Sequence, residues 1–209
     1  MKDLHDFVHD LAITPAPADS FNQYGYNHVT NEVRRANLTR YLQQMRSRQP
    51  VLMLVAEAPG YRGARLTGVP FSSRYLIQNG VGTLFGTENG YQVPDDIENN
   101  AWKEATATIV WDTIHQLSPP PLNWNSYPFH PHQPGKPLTN RKPRKAELDI
   151  GQHFLKRLVS LFEIERIIAV GNTAEGTLKA MGISCEKVRH PAQGGKNDFV
   201  AGIKRLIKT

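Results

Sequence analysis

Glu57, Phe71, Asn125 and His190 are the residues whose types and positions suit joint work on one small molecule. Glu57 directly follows the continuously apolar run "VLMLVA" (51–56), where a chain entering a turn has no need of a charge. Asn125 sits in "LNWNSYPF", His190 ends "SCEKVRH", and Phe71 closes the loop "AEAPGYRGARLTGVPF". A flat polar ring would stack on the phenylalanine and have its edge read by the asparagine. The carboxylate and the imidazole would stabilise charge developing as it reacts. That set favours a nucleobase. Singly, each residue has an ordinary use: a glutamate can cap a helix or pair with an arginine, an asparagine can form a turn, a loop histidine can bond backbone, and a phenylalanine can fill a core. Their common placement at strand ends makes the chemical case.

The elements that must position them can be read from periodicity. "NEVRRANLTRYLQQMR" (31–46) has apolar residues at helical spacing, with Thr30 or Asn31 as N-cap, and "VLMLVA" suits a parallel strand buried on both faces. Gly80, Gly82, Gly86 and Gly90 make 72–94 patchy and mark it as a surface excursion, followed by an acidic cluster over 94–104. Helical spacing returns over 101–117, counted from Trp102, and "SPPP" ends it. "LNWNSYPF" reads as a short strand running into a loop, 144–162 as a long helix, and "RIIAVG" as a second buried strand. "NTAEGTLKAMG" is a short helix closing on Gly182, "SCEKVRH" a short strand and "DFVAGIKRLIK" a final helix. Alternating strands and helices imply a parallel sheet covered on both sides, whose ligand site lies outside the carboxyl ends of the strands. The loops 57–71, 125–131 and 190–196 then converge.

The 209 residues, 39% hydrophobic, suit one compact domain better than two small cores. The start of the chain, with Asp3, His5, Asp6, His9 and Asp10, does not resemble a secretory signal, and no run approaches the ~20 apolar residues of a membrane span, so a soluble, cytoplasmic protein is expected. Cys185 is the one cysteine, which excludes an internal disulfide and a cysteine-built zinc or iron–sulfur site; it reads as a small hydrophobe. No metal or other cofactor is expected. A net charge of +6 favours an anionic partner. The basic residues fall into groups: Lys136, Arg141, Lys142, Arg144 and Lys145; Lys187, Arg189 and Lys196; and Arg34, Arg35, Arg40, Arg46 and Arg48. Groups of this kind around the site loops point to a polyanion.

"AEAPGYRGARLTGVPF" resembles the first motif of the uracil-DNA glycosylase superfamily, especially its GEAPG-type branches. In the family's order follow "NWNSYPFHP", with a strand-end asparagine; "LTNRKPRKAEL", similar to an Asn-Arg-x-Pro lead into a long helix; "IIAVGNTA", similar to its Gly-x-Thr-Ala turn; and "RHPAQGG", similar to its His-Pro-Ser loop. The likeness spans about three quarters of the chain. It implies one glycosylase-like domain over 1–209, an α/β three-layer αβα sandwich around a four-stranded parallel sheet. It also implies a monomer that excises uracil or a related deaminated base from DNA by flipping the nucleotide out of the stack, at a cost of a few kcal/mol. By motif position Glu57 would activate water or stabilise the cationic sugar, and His190 would donate a hydrogen bond to the departing base. Phe71 would stack on the base, Asn125 would read its edge, and the Ala58 backbone would assist. Pro59, Gly60, Gly171, Asn172, Thr173, Gln193, Gly194 and Lys196 would contact DNA. Tyr61 and Tyr75 are candidates for excluding thymine. Ala56 stands where the family usually has glycine and Ala192 where it usually has serine, and the iron–sulfur cysteines of one branch are absent. Two other readings stay open: a nucleic-acid-binding member of the fold without catalysis, and a hydrolase or transferase acting on small nucleotides. The second lacks a G-x-x-x-x-G-K-[ST] phosphate loop.

Overall fold

The computed structural model describes residues 2–95 and 100–207. In chain order the elements are helix α1 (Lys2–Ile13), strand β1 (Ser20–Phe21), α2 (Asn31–Arg48), β2 (Leu52–Ala56), and the short helices α3 (Ala64–Thr67) and α4 (Arg74–Asn79). Then come α5 (Ala105–Ile114), β3 (Leu122–Asn125), β4 (His130–Pro131), α6 (Lys145–Leu161), β5 (Arg166–Val170), α7 (Asn172–Ala180), β6 (Glu186–Val188) and α8 (Lys196–Ile207).

The two most apolar strands, β2 and β5, are buried from their second residue onward and pair with each other in parallel at the centre of the main sheet. β3 adds outside β2 and β6 outside β5, both in parallel, giving the order β3-β2-β5-β6. Parallel neighbours need crossovers, and these are right-handed. The chain steps from β2 outward to β3, then back across β2 to β5 and on to β6. That reversal puts α5 on one face and α6 and α7 on the other. The result is an α/β sandwich around a four-stranded parallel sheet, with helices flanking both faces.

The reversal also sets where a ligand can bind. The loops leaving β2 and β5 turn to opposite faces and open a crevice between them at the carboxyl ends. The register levels the neighbouring ends, with Ala56 beside Asn125 and Val55 beside Ala169. Glu57, Asn125 and the turn at Gly171 therefore emerge on one rim.

Three parts of the fold differ from the sequence reading. α1 has Leu4, Phe7, Val8, Leu11 and Ala12 buried at helical spacing, and the Phe7 ring meets Trp124 edge-on at 5.6 Å and Phe154 at 5.7 Å. The acidic and histidine residues that dominate its composition occupy the other side. The 72–94 segment is no surface excursion: Leu76, Ile77, Leu84, Phe85 and Tyr91 belong to the core. Gly80, Gly82, Gly86 and Gly90, all at positive φ, turn it back onto the protein rather than loosening it. Of the acidic cluster, Asp96 and Glu98 lie outside the described residues. α5 begins only at Ala105, because Glu104 caps it by accepting from Thr106 N at 3.0 Å and Ala107 N at 2.5 Å. Trp102 is thereby left outside the helix, 42% exposed.

Candidate active site

A cavity of about 260 Å³ opens at the carboxyl edge of the sheet, just below the usual range for ligand sites of about 300–1,000 Å³. Glu57, Ala58, Phe71, Asn125 and His190 all line it, with Pro59 and Gly60. Ala56 and Ala192 line it as well, the positions where the resemblance calls for glycine and serine.

Glu57 leaves the sheet half-buried, and the Thr173 hydroxyl, in the first turn of α7, donates to its Oε2. This bond spans the crevice between the β2 and β5 ends. On the other side, Ser126 N donates to Ala56 O at 2.7 Å and Tyr127 N to Glu57 O at 3.0 Å, extending the β2–β3 ladder past the strand ends. α6 presses on the same peptide through Gly151, where a Cβ would come within 1.8 Å of Ser126 O. Only glycine allows that approach.

Asn125 is 5% exposed, and among the described residues its amide has no hydrogen-bond partner, so its edge is open to the cavity. Phe71 holds a left-handed backbone, φ +51°, which costs a non-glycine residue about 1–3 kcal/mol. Its carbonyl accepts from Trp111 Nε1 at 2.7 Å, and this bond from the core holds the strained turn in place.

His190 is half-buried in the loop after β6, and Ala192 N donates to its Nδ1 at 3.1 Å. An Nδ1 that accepts carries no proton, so the neutral ring has its proton on Nε2. Burial lowers the imidazole pKa below its ordinary value, against the opposing pull of the Glu104 and Glu57 carboxylates. The loop closes tightly because a Cβ on Gly195 would lie 2.1 Å from His190 O. The arrangement offers an anchored carboxylate, an open amide and an uncharged N–H donor around one small space.

Further residues fix the floor of the cavity. Buried His130 donates from Nδ1 to Pro59 O at 2.8 Å, and burial holds its pKa down to about 4, so it works as a neutral donor. Asn140 Oδ1 accepts from Tyr61 N at 3.0 Å. Together they pin the loop after Glu57 from the 130–141 segment. Glu104, Ser72, Asn140 and Arg141 also line the cavity, and the sequence reading gave none of them a place in the site. Helical spacing counted from Trp102 places Glu104 inside the helix, and only the fold shows it as the N-cap.

The remaining expected DNA contacts fall in two places. Gly171, Asn172 and Thr173 form the β5–α7 turn, but the Thr173 hydroxyl is engaged on Glu57, and Asn172 Oδ1 accepts from Lys187 Nζ at 3.3 Å. Gln193, Gly194 and Lys196 are exposed on the His190 loop. Tyr61 and Tyr75 are not among the residues that line the cavity. Several basic residues are held by local acids. Arg141 is 14% exposed and pairs with Glu147 at 2.6 Å and Asp19 at 3.1 Å, Arg144 pairs with Asp19, and Lys187 pairs with Glu175. Arg34 is fully buried in α2, hydrogen-bonded to Leu66 O. Among the described residues no cluster of His, Cys, Asp or Glu is arranged to hold a metal ion, and no helix is long and apolar enough to cross a membrane.

Residues 43–202 match the family model described as the uracil DNA glycosylase superfamily. Among solved structures, the chain is similar to the crystal structure of wild-type Pedobacter heparinus SMUG2, with a TM-score of 0.64 and 13% identity over 99% of each chain. At that identity the likeness concerns the fold. Among curated proteins, none matches.

Proposed function

Since the chain belongs to the uracil DNA glycosylase superfamily, we propose that it hydrolyses the N-glycosidic bond of uracil or a related deaminated base that has been flipped out of DNA. The observation that carries this reading is the convergence of Glu57, Phe71, Asn125 and His190 in one small cavity.

The base enters over Phe71, and the Asn125 amide pairs with its edge. An amide that matches the donor and acceptor of the uracil imide cannot pair equally with cytosine, where that order is exchanged. As the bond between C1′ and the base nitrogen breaks, its electron pair moves onto the base. The His190 Nε2–H, already uncharged, donates to the oxygen where negative charge collects. A preorganised donor of this kind contributes about 10²–10³ in rate. The sugar becomes cationic at C1′, and Glu57, turned by Thr173, stabilises it and takes the proton of the water that adds there. General-base assistance adds typically 10²–10⁴. The products are the free base and an abasic site. Backbone amides of 58–60 and the exposed Gln193–Lys196 loop hold the strained strand, and the whole chain works as one domain and as a monomer.

The test is incubation of the protein with labelled oligonucleotides carrying uracil, hypoxanthine or xanthine, followed by alkali. Cleavage at one or more of these bases is expected; intact strands with all three, at enzyme in excess, would sink the proposal. Free deoxyuridine and its monophosphate, run alongside, are expected to stay intact; their hydrolysis in place of the oligonucleotides would favour a small-nucleotide enzyme.

A further inference from the structure

Tyr75 and Trp102 are large aromatics left 37% and 42% exposed on segments that lead into the cavity lining. Their rings meet edge to face, with centroids 6.2 Å apart and planes at 85°, and Tyr75 N donates to Trp102 O at 2.9 Å, which fastens the two segments together. Lys103 Nζ lies 4.3 Å from the centre of the Tyr75 ring. In an edge-to-face pair the ring that offers its edge keeps both of its broad faces out of that contact, so the pair can still accept a third ring.

Its position connects it to the site. Trp102 is two residues from Glu104 and Tyr75 three from Ser72, and both Glu104 and Ser72 line the cavity. Extended chain covers at most ~3.6 Å per residue, which keeps the Trp102 backbone within about 7 Å of Glu104 and the Tyr75 backbone within about 11 Å of Ser72. Both anchors are rigid, since Glu104 caps α5 and the Ser73 hydroxyl caps α4 by accepting from Leu76 N.

We infer that Tyr75 and Trp102, with Lys103, form a stacking platform for an unpaired base next to the flipped nucleotide. The inference rests on the proposed reading that the cavity takes a nucleotide. Aromatic rings beside a cation are how proteins hold single strands, the rings taking base faces and the cation the phosphate. In a duplex the flanking base stays paired and stacked on its neighbours, so the platform has nothing to take.

Trp102 also supplies the readout, because Trp111 and Trp124 are each 1% exposed. The full-length protein is titrated with a labelled, uracil-free oligothymidine and with a duplex of equal length, following oligonucleotide anisotropy and tryptophan fluorescence. The wild type should lose fluorescence as the single strand saturates it. Trp102→Ala should weaken single-strand binding roughly tenfold or more, change duplex binding by less than about twofold, and lose the quench. Trp102→Phe should recover part of the affinity. No quench at saturation with the single strand, or an equal loss by Trp102→Ala on both DNAs, would overturn the inference. If Trp102→Ala does not fold, the wild-type quench and the Trp102→Phe and Tyr75→Leu affinities decide. Because the DNA holds no uracil, failure of base release leaves this binding pattern intact, so failure of the glycosylase reading is seen separately.

Discussion

Replacing Thr173 by valine keeps the size and branching of the side chain and removes the hydroxyl that donates to the Glu57 carboxylate. A hydrogen bond to a charged group contributes about 1.5–3 kcal/mol, equivalent to about 10- to 150-fold in a rate that depends on it. Glu57 is only half-buried, so water can replace part of the lost bond, which places the expected loss at the lower end, about 10- to 30-fold. The assay is single-turnover release of uracil from a single-stranded oligonucleotide with enzyme in excess, for the wild type, Thr173→Val, Glu57→Gln and the double variant. If the hydroxyl acts through Glu57, its removal should cost less than about twofold once Glu57 is glutamine, because contacting residues are not additive. DNA affinity should stay near wild type, since the hydroxyl faces the carboxylate rather than the phosphate backbone. An unchanged Thr173→Val rate, an equal loss in both backgrounds, or a loss confined to DNA affinity would refute this reasoning.

Other consequences can be measured directly. Gly151→Ala drives a methyl into Ser126 O and should cost about 3 kcal/mol or more of stability, read by urea denaturation, together with slower base release because Asn125 adjoins that peptide; a neutral effect would mean α6 does not set the β3 loop. His130 has its pKa depressed to about 4 by burial, so the unfolded chain takes up its proton first as pH falls. Its share of stability is complete above about pH 6.5 and is lost between there and about pH 4, roughly 3 kcal/mol in all. Urea curves at pH 7, 5 and 4 should show His130→Asn losing that much less than the wild type over the same interval; parallel losses would contradict it. His190 also titrates below its ordinary value, so single-turnover base release should hold level from pH 8 to about 6.5 and decline only below, as protonated Nδ1 repels the Ala192 N–H. A decline centred above pH 6.5 would contradict the neutral-donor assignment.

The sheet was legible because its two central strands are unbroken apolar runs, which have few ways to be buried other than in parallel between helices. Glu57, Asn125 and His190 were legible for a related reason: each stands where an expected strand stops, and strand ends share a rim. What sequence reading missed depends on contacts distant along the chain. Glu104 enters the cavity from a helix cap, and Asn140 from a segment that reaches back to Tyr61, contacts that only the fold brings to the site. Basic residues counted toward a DNA surface were in part neutralised by Asp19, more than 100 residues earlier in the chain. In the 72–94 segment four glycines look like slack in the sequence, whereas at positive φ they turn a chain whose Leu76, Ile77, Leu84, Phe85 and Tyr91 join the core. That the Thr173 hydroxyl meets Glu57 across the crevice is visible only in the fold.

A structure of the protein soaked with free uracil tests the central claim most directly, because the base need not be cut to report on the site. The ring is expected over Phe71, its imide edge on the Asn125 amide, and one base oxygen within hydrogen-bond distance of His190 Nε2, with Glu57 still held by Thr173 on the side where C1′ would be. Uracil bound elsewhere on the protein, or bound in the cavity without Asn125 and His190, would contradict it.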